Sequence, residues 1–248
     1  MSNFNYKIQI TADGSPSLEL IGPRNTAETM HSKAGAFEES LYIYLRVVKS
    51  VVEQDLPLSF YSLGLGLGYN EFILISYLIS VKTDMSQLKI VSSEHHPELI
   101  DQLKLTVQNH SEDRENISPI QACYHQVIKL CTEYFKISKT ELYTKVSELI
   151  QNNQWEFHSA LNQSCLAKNN IRFSGIFYDA FSEQFAEDLW QEKFLTEFLK
   201  THAAKNCIVS SYAAKGTLRR ALEAQGFQLK KSSGFKGKRE STNAVRLN

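Results

Sequence analysis

The chain has 248 residues with 27 Lys or Arg against 27 Asp or Glu, so its formal net charge is zero and its pI is near 7.0. That balance excludes a uniformly basic nucleic-acid binder but allows one whose cations gather on a single face. The length allows an α/β domain with an insertion. Distribution matters more than the total. From residue 205 onward there are ten Lys or Arg and two acids, Glu223 and Glu240, so the last 44 residues carry +8 and the remainder −8. Cys123, Cys131, Cys165 and Cys207 are scattered without a C-x-x-C pair, and the seven histidines are not at ligand spacings, so neither a zinc site nor a disulfide framework is expected. The most apolar run, Phe72 to Val81, is too short to span a bilayer, and the N-terminus has no basic segment leading into an apolar one. A cytoplasmic protein with no membrane partner is expected.

In chain order, Tyr6–Ile10 and Ser17–Ile21 alternate apolar and polar residues around the turn Asp13-Gly14, which predicts a β-hairpin. Met30 to Val52 carries Leu41, Tyr42, Leu45, Val48 and Val52 at helical spacing and predicts a covering helix. Phe60 to Leu63 then runs into Gly64-Leu65-Gly66-Leu67-Gly68 and a helix from Tyr69 to Val81. This is strand, glycine turn, helix: residues without a Cβ let a flat ligand lie against the backbone where a helix begins. The next strand, Leu88 to Glu94, ends in an acid that in nucleoside-cofactor folds lies where ribose hydroxyls arrive. His95 and His96 follow closely enough to touch a cofactor edge, and Pro97 opens a helix to about Asn109.

Residues 121–154 read as two helices inserted in or capping the core, and Trp155–Ser159 as a short third strand. Phe173 to Phe181 is an apolar, aromatic central strand with Asp179 at its carboxyl end, facing the ligand crevice and forming the best single candidate for chemistry. A helix from Glu187 to His202, a strand Asn206–Tyr212, a basic-faced helix Thr217–Gln225 and an antiparallel pair, Phe227–Leu229 with Glu240–Leu247, complete a doubly wound, mostly parallel sheet. The division expected is 1–55 for hairpin and covering helix and 56–248 for the core, with its helical insertion at about 121–154. The run from Lys230 to Arg239 interleaves glycines, Phe235 and five cations, a loop suited to phosphate contacts that Arg219 and Arg220 extend. No G-x-S-x-G nucleophile turn or Walker-type loop occurs.

Several stretches together resemble one family. They are His31 to Ser40, Gly64 to Asn70, Glu94 with His96-Pro97, Tyr178 to Phe181 followed by Trp190, Ser211 to Arg220, and Gly234 to Glu240. In that order they are similar to the methyltransferase module of MnmC-type tRNA-modifying proteins. The resemblance implies a Rossmann-like, S-adenosylmethionine-dependent methyltransferase acting on the exocyclic amine of 5-aminomethyl-2-thiouridine at the tRNA wobble position, with the tRNA anticodon loop as partner. It implies that Gly64, Gly66, Gly68, Asn70, Glu94 and His95 contact cofactor, with Asp179 beside both cofactor and acceptor amine. Phe181, Arg219, Arg220, Lys236, Lys238 and Arg239 would contact substrate or RNA. Longer relatives continue into a flavin-dependent oxidase, so no FAD and no metal are expected here. The chain departs from the family pattern at Ser62, where an acid is usual two residues before the glycines, at His158-Ser159, where a Gly-Asp pair is usual, and at Ser182 to Ala186, where a proline-containing loop is usual. These departures keep open a same-fold methyltransferase of another amine or small molecule, and a cofactor-less RNA-binding relative.

Overall fold

The computed structural model describes residues 5–21, 27–108, 117–159, 171–237 and 240–247. Its centre is a seven-stranded sheet built from β4 (Ser59–Leu63), β5 (Lys89–Glu94), β6 (Trp155–Ser159), β7 (Phe173–Tyr178), β8 (Ala203–Ser211), β9 (Gln228–Lys230) and β10 (Thr242–Arg246), in the order β6-β5-β4-β7-β8-β10-β9. The first five of these strands pair in parallel, and β10 runs antiparallel to both β8 and β9. Because side chains alternate along a strand, the sheet has two apolar faces. Phe60, Ile90, Phe177 and Ile208 face helices α1 (Ala36–Glu53), α2 (Tyr69–Ser80), α3 (Pro97–Gln108), α4 (Pro119–Phe135) and α5 (Lys139–Gln151). Tyr61, Leu63, Val91, Ile176 and Tyr178 face α6 (Glu192–His202) and α7 (Gly216–Ala224).

The register decides where the crevice falls. Ser62 lies beside Ser92 and Leu63 beside Tyr178, so the carboxyl ends of β5, β4 and β7 finish side by side at the centre of the sheet. The chain leaves β4 toward one face and β7 toward the other, which opens a cleft between their ends. Gly175 fits β7 tightly under its cover, since a Cβ there would lie 2.5 Å from the Phe60 ring and 3.1 Å from Val47.

The predicted hairpin is a three-stranded antiparallel sheet, because β1 (Tyr6–Ile10) and β2 (Pro16–Ile21) are joined by β3 (Ala27–Thr29), too short to show any period in sequence. This small sheet is tied to α1 through its turn. Gly35, at the helix start, has no side chain to cap the first amides. Instead Thr11 Oγ1 and Ser15 Oγ each accept from Ala36 N–H at 3.1 Å, and Asp13 Oδ2 accepts from Glu38 N–H at 3.0 Å. The helix therefore begins at Ala36 rather than Met30, and residues 30–35 become a loop over the cleft. The two helices expected in 121–154 are α4 and α5, and α4 packs on α2, α3 and the small sheet. The helix expected from Glu187 is a 3-10 turn, Glu187–Trp190, followed by α6 after an extended Gln191. The break has a cause: Trp190 Nε1 donates to the Phe181 carbonyl at 2.6 Å, fixing the turn against the β7 exit loop. Strand β7 stops at Tyr178, and β10 covers only Thr242–Arg246 of the expected 240–247.

Candidate active site

The glycine turn is set by backbone geometry at two points. Gly64 has φ +88, and a Cβ there would lie 2.5 Å from the Asp179 carbonyl oxygen, so the turn and the β7 exit loop touch backbone to backbone. Gly66 has φ +51 and donates its N–H to Glu94 Oε2 at 2.9 Å. Gly68 is set back from the cleft: it caps α2, and a Cβ on it would meet the Phe72 ring at 2.9 Å. Tyr124 of α4 braces the turn from behind, its hydroxyl lying 2.8 Å from the Gly66 carbonyl and 3.0 Å from that of Leu99.

Glu94 is buried at the end of β5, with Oε1 accepting the His96 N–H at 2.8 Å. Burial pushes its pKa up, while the amides of Gly66 and His96 pull the other way. A carboxylate has about four acceptor positions, so two amides leave room for a ribose cis-diol. His95 is exposed and stacks edge-on against His96 at 5.1 Å, and its side chain is not on the cleft wall.

Asp179 stands at the end of β7. Asn70, in the first turn of α2, donates from Nδ2 to Asp179 Oδ2 at 2.9 Å, which links the glycine-turn helix to the candidate catalytic carboxylate. Both residues border an open cleft that also receives the ends of β4 and β5. Of the residues predicted to contact ligand, Gly64, Gly66, Asn70, Glu94, Asp179 and Phe181 all line it. The wall also contains residues that sequence reasoning did not assign: Glu28 and Met30 from β3 and its exit, Glu39 and Tyr44 from α1, and Tyr212 after β8. Glu39 and Tyr212 fall inside stretches that carried the family resemblance, whereas Glu28 sits in the unforeseen strand and Tyr44 reads in sequence as one more apolar helix position. Glu28 clamps the mouth, with its two oxygens accepting the Ser182 N–H and hydroxyl at 2.8 Å each. Glu39 Oε2 accepts the Ser32 N–H at 2.7 Å, holding the loop before α1.

Of the predicted RNA-contacting cations, Arg219, Arg220 and Lys236 are not among the residues that line the cleft. Arg219 pairs with Glu240, Arg220 with Glu192 at 2.7 Å, and Lys236 with Glu38, all on exposed side chains. Lys238 and Arg239 lie outside the described residues. Cys123, Cys131 and Cys207 are buried and free, while Cys165 lies outside the described residues. Among the described residues no group of three or more His, Cys, Asp and Glu is placed to hold a metal, and no helix is long and apolar enough to cross a membrane.

Residues 126–247 match a family described as S-adenosyl-L-methionine-dependent methyltransferase. The full length of the chain superposes on the crystal structure of MNMC2 from Aquifex aeolicus, with a TM-score of 0.64 and 22% identity, covering 72% of that chain. The carboxyl-terminal half of the chain thus resembles that methyltransferase family, and the whole chain shares the fold of the Aquifex protein. Two curated relatives carry the same description, tRNA 5-methylaminomethyl-2-thiouridine biosynthesis bifunctional protein MnmC. The one from Hahella chejuensis is 38% identical over 69 residues, covering 28% of this chain and 11% of that protein. The one from Aromatoleum aromaticum is 23% identical over 245 residues, covering 94% of this chain and 34% of that protein. The chain thus spans about a third or less of the length of these curated relatives. The Aquifex likeness establishes the fold; the methyltransferase assignment adds a cofactor with a ribose and a methionine tail. The cleft fits that cofactor. The backbone of Gly64 and Gly66 lines the cleft, Glu94 offers acceptors to hydroxyls, and the buried Asn70 Oδ1 has no protein partner.

Proposed function

We propose that the chain transfers the methyl group of S-adenosylmethionine to the exocyclic primary amine of 5-aminomethyl-(2-thio)uridine at the wobble position of tRNA. The observation that carries this reading is the charge of the wall: Glu28, Glu39, Glu94 and Asp179 line the cleft, with no Lys or Arg among the described lining residues. An aliphatic amine arrives largely protonated at neutral pH, with a pKa about that of lysine, and such a wall attracts it. The names of the MnmC relatives support tRNA as the carrier of that amine.

When bound, the cofactor supplies an already activated methyl group, so the protein's task is alignment and exclusion of water. Glu94 and the backbone of Gly64 and Gly66 would hold it, with Glu94 toward the ribose. Asp179, oriented by Asn70, receives the acceptor ammonium and takes or relays the proton that must leave before the nitrogen lone pair can attack. Phe181 offers a ring at the mouth against which a base can lie. Glu28 holds the Asp179 to Ser182 loop in place through Ser182.

The test is methyl transfer from labelled cofactor to tRNA carrying aminomethyl-uridine. Asp179→Asn is expected to lower the rate by about 10²–10⁴ while leaving the fold intact by circular dichroism. Absence of transfer by the intact protein refutes the proposal. A second reading, transfer to another amine or small molecule, is favoured by one observation: Arg219, Arg220 and Lys236 are each already paired with a carboxylate. Failure of tRNA to bind at low salt, with cofactor still bound, would select it.

A further inference from the structure

Tyr44 lies near the middle of α1, buried, with its ring edge-on to Phe177 at a centroid distance of 5.7 Å. Phe177, on β7, is two residues before Asp179. The Tyr44 hydroxyl is buried and makes no hydrogen bond of full geometry, yet the residue lines the same cleft as Asp179, whose carboxylate and the Tyr212 backbone are its polar neighbours. A buried phenol normally finds an acceptor, because leaving its O–H unmet in an apolar setting is costly. Here the neighbouring acceptor group is the Asp179 carboxylate. Resting on the reading of Asp179 as the group that receives the amine, we infer that Tyr44 is a positioning residue whose hydroxyl donates to the Asp179 carboxylate.

Three observations shape this role. Asn70 approaches Asp179 from α2 while Tyr44 approaches from α1, so donors from two helices would fix both the rotation and the tilt of the carboxylate. Burial, and then the charge of Asp179, hold the Tyr44 phenol well above its ordinary pKa of 10.0. Tyr44 is therefore a donor throughout the working pH range and cannot compete with Asp179 as base. The ring is held by packing against Phe177 and the β7 exit loop by the grip of Glu28 on Ser182, so hydroxyl and carboxylate are presented to each other from two fixed elements.

The other titratable groups facing Asp179 are Glu71 from α2 and Tyr212 from the loop after β8, and the cleft wall adds Glu28, His31, Glu39 and Glu94. Removing a neutral donor changes no charge among these neighbours, so a shift in the Asp179 titration reports the lost hydrogen bond. Tyr44→Phe keeps the ring and its contact with Phe177, and deletes only the hydroxyl.

The experiment is a carboxyl-carbon NMR titration of full-length protein labelled at aspartate, saturated with S-adenosylhomocysteine, with the Asp179 signal assigned by its loss in Asp179→Asn. Tyr44→Phe is expected to raise the Asp179 pKa by about one unit and to move the acidic limb of the methyl-transfer pH profile by the same amount. A shift below about 0.2 units refutes the inference. So does an unchanged Asp179 titration together with a lowered melting midpoint, which would make Tyr44 a packing residue only. The titration needs no turnover, so a protein that fails to methylate aminomethyl-uridine tRNA but shows the shift would remove the proposed substrate and leave Tyr44's role standing.

Discussion

Replacing Gly64 by alanine tests whether the glycine turn and the β7 exit loop form one surface. The residue has φ +88, in the region where an L side chain costs about 1–2 kcal/mol. The added Cβ would lie 2.5 Å from the Asp179 carbonyl oxygen and 3.3 Å from its carbonyl carbon, and backbone cannot rotate out of the way as a side-chain tip can. Relieving that overlap adds the roughly 1–3 kcal/mol typical of overpacking. A total of about 3 kcal/mol lowers the melting midpoint of a chain this size by ~6–12 °C. The relief must also displace Asp179, and a shift of about 1 Å at a reacting group costs on the order of 10²-fold in rate. Gly14→Ala is the matched control, since Gly14 has φ +79 but a Cβ added there would meet nothing within 4 Å, so it carries the conformational cost without the clash. Differential scanning fluorimetry and the methyl-transfer rate read the two effects. If Gly64→Ala melts with Gly14→Ala and turns over within twofold of wild type, the two loops do not touch as described.

Three further outcomes are expected. Glu71 is fully buried on α2, with Ser92 Oγ donating to its Oε1 at 2.6 Å and its Oε2 without a partner, and burial raises its pKa from 4.5 to about 7. Below pH 4.5 folded and unfolded chains both hold the proton; between 4.5 and 7 only the folded chain does, so stability falls as pH rises and the cost is complete above 7. Glu71→Gln should therefore be more stable than wild type by about 3 kcal/mol at pH 8 and by little at pH 4.5, and urea midpoints with equal pH slopes would contradict this. Gly175→Ala presses a methyl against Phe60 and Val47 and should destabilise by roughly 1–3 kcal/mol without changing cofactor affinity once folded, checked by denaturation and titration. Arg219→Ala, Arg220→Ala and Lys236→Ala break exposed ion pairs and should leave melting almost unchanged. Each should reduce the salt slope of tRNA binding by about 0.7–0.9 if it contacts a phosphate, and an unaltered slope for all three would move the RNA surface elsewhere.

Sequence by itself determined the alternation of strands and helices, the glycine turn, and the acids Glu94 and Asp179 at strand ends. These are local signals: a period of two or 3.6, residues without a Cβ, and a charge where an apolar run stops. It also pointed to Asn70 and Phe181 through the stretches that resemble MnmC-type modules, and the cleft includes both. What it could not decide depends on which elements meet. Glu28 became legible only when β3 paired with β2 and its carboxylate reached Ser182, 154 residues away in sequence. Tyr44 looks like a core position of α1 until packing against Phe177 brings its hydroxyl to the cleft. Gly68 and His95 sit beside true wall residues in sequence, yet one turns to Phe72 and the other to solvent, because adjacent residues at a helix start point in different directions. Likewise the basic C-terminal segment reads as a phosphate grip from composition, whereas tertiary contacts pair Arg219, Arg220 and Lys236 with Glu240, Glu192 and Glu38. Local pattern specifies an element and the chemistry it carries; the direction a side chain takes across the cleft is set by the register of β4, β5 and β7 and by the helices packed over them.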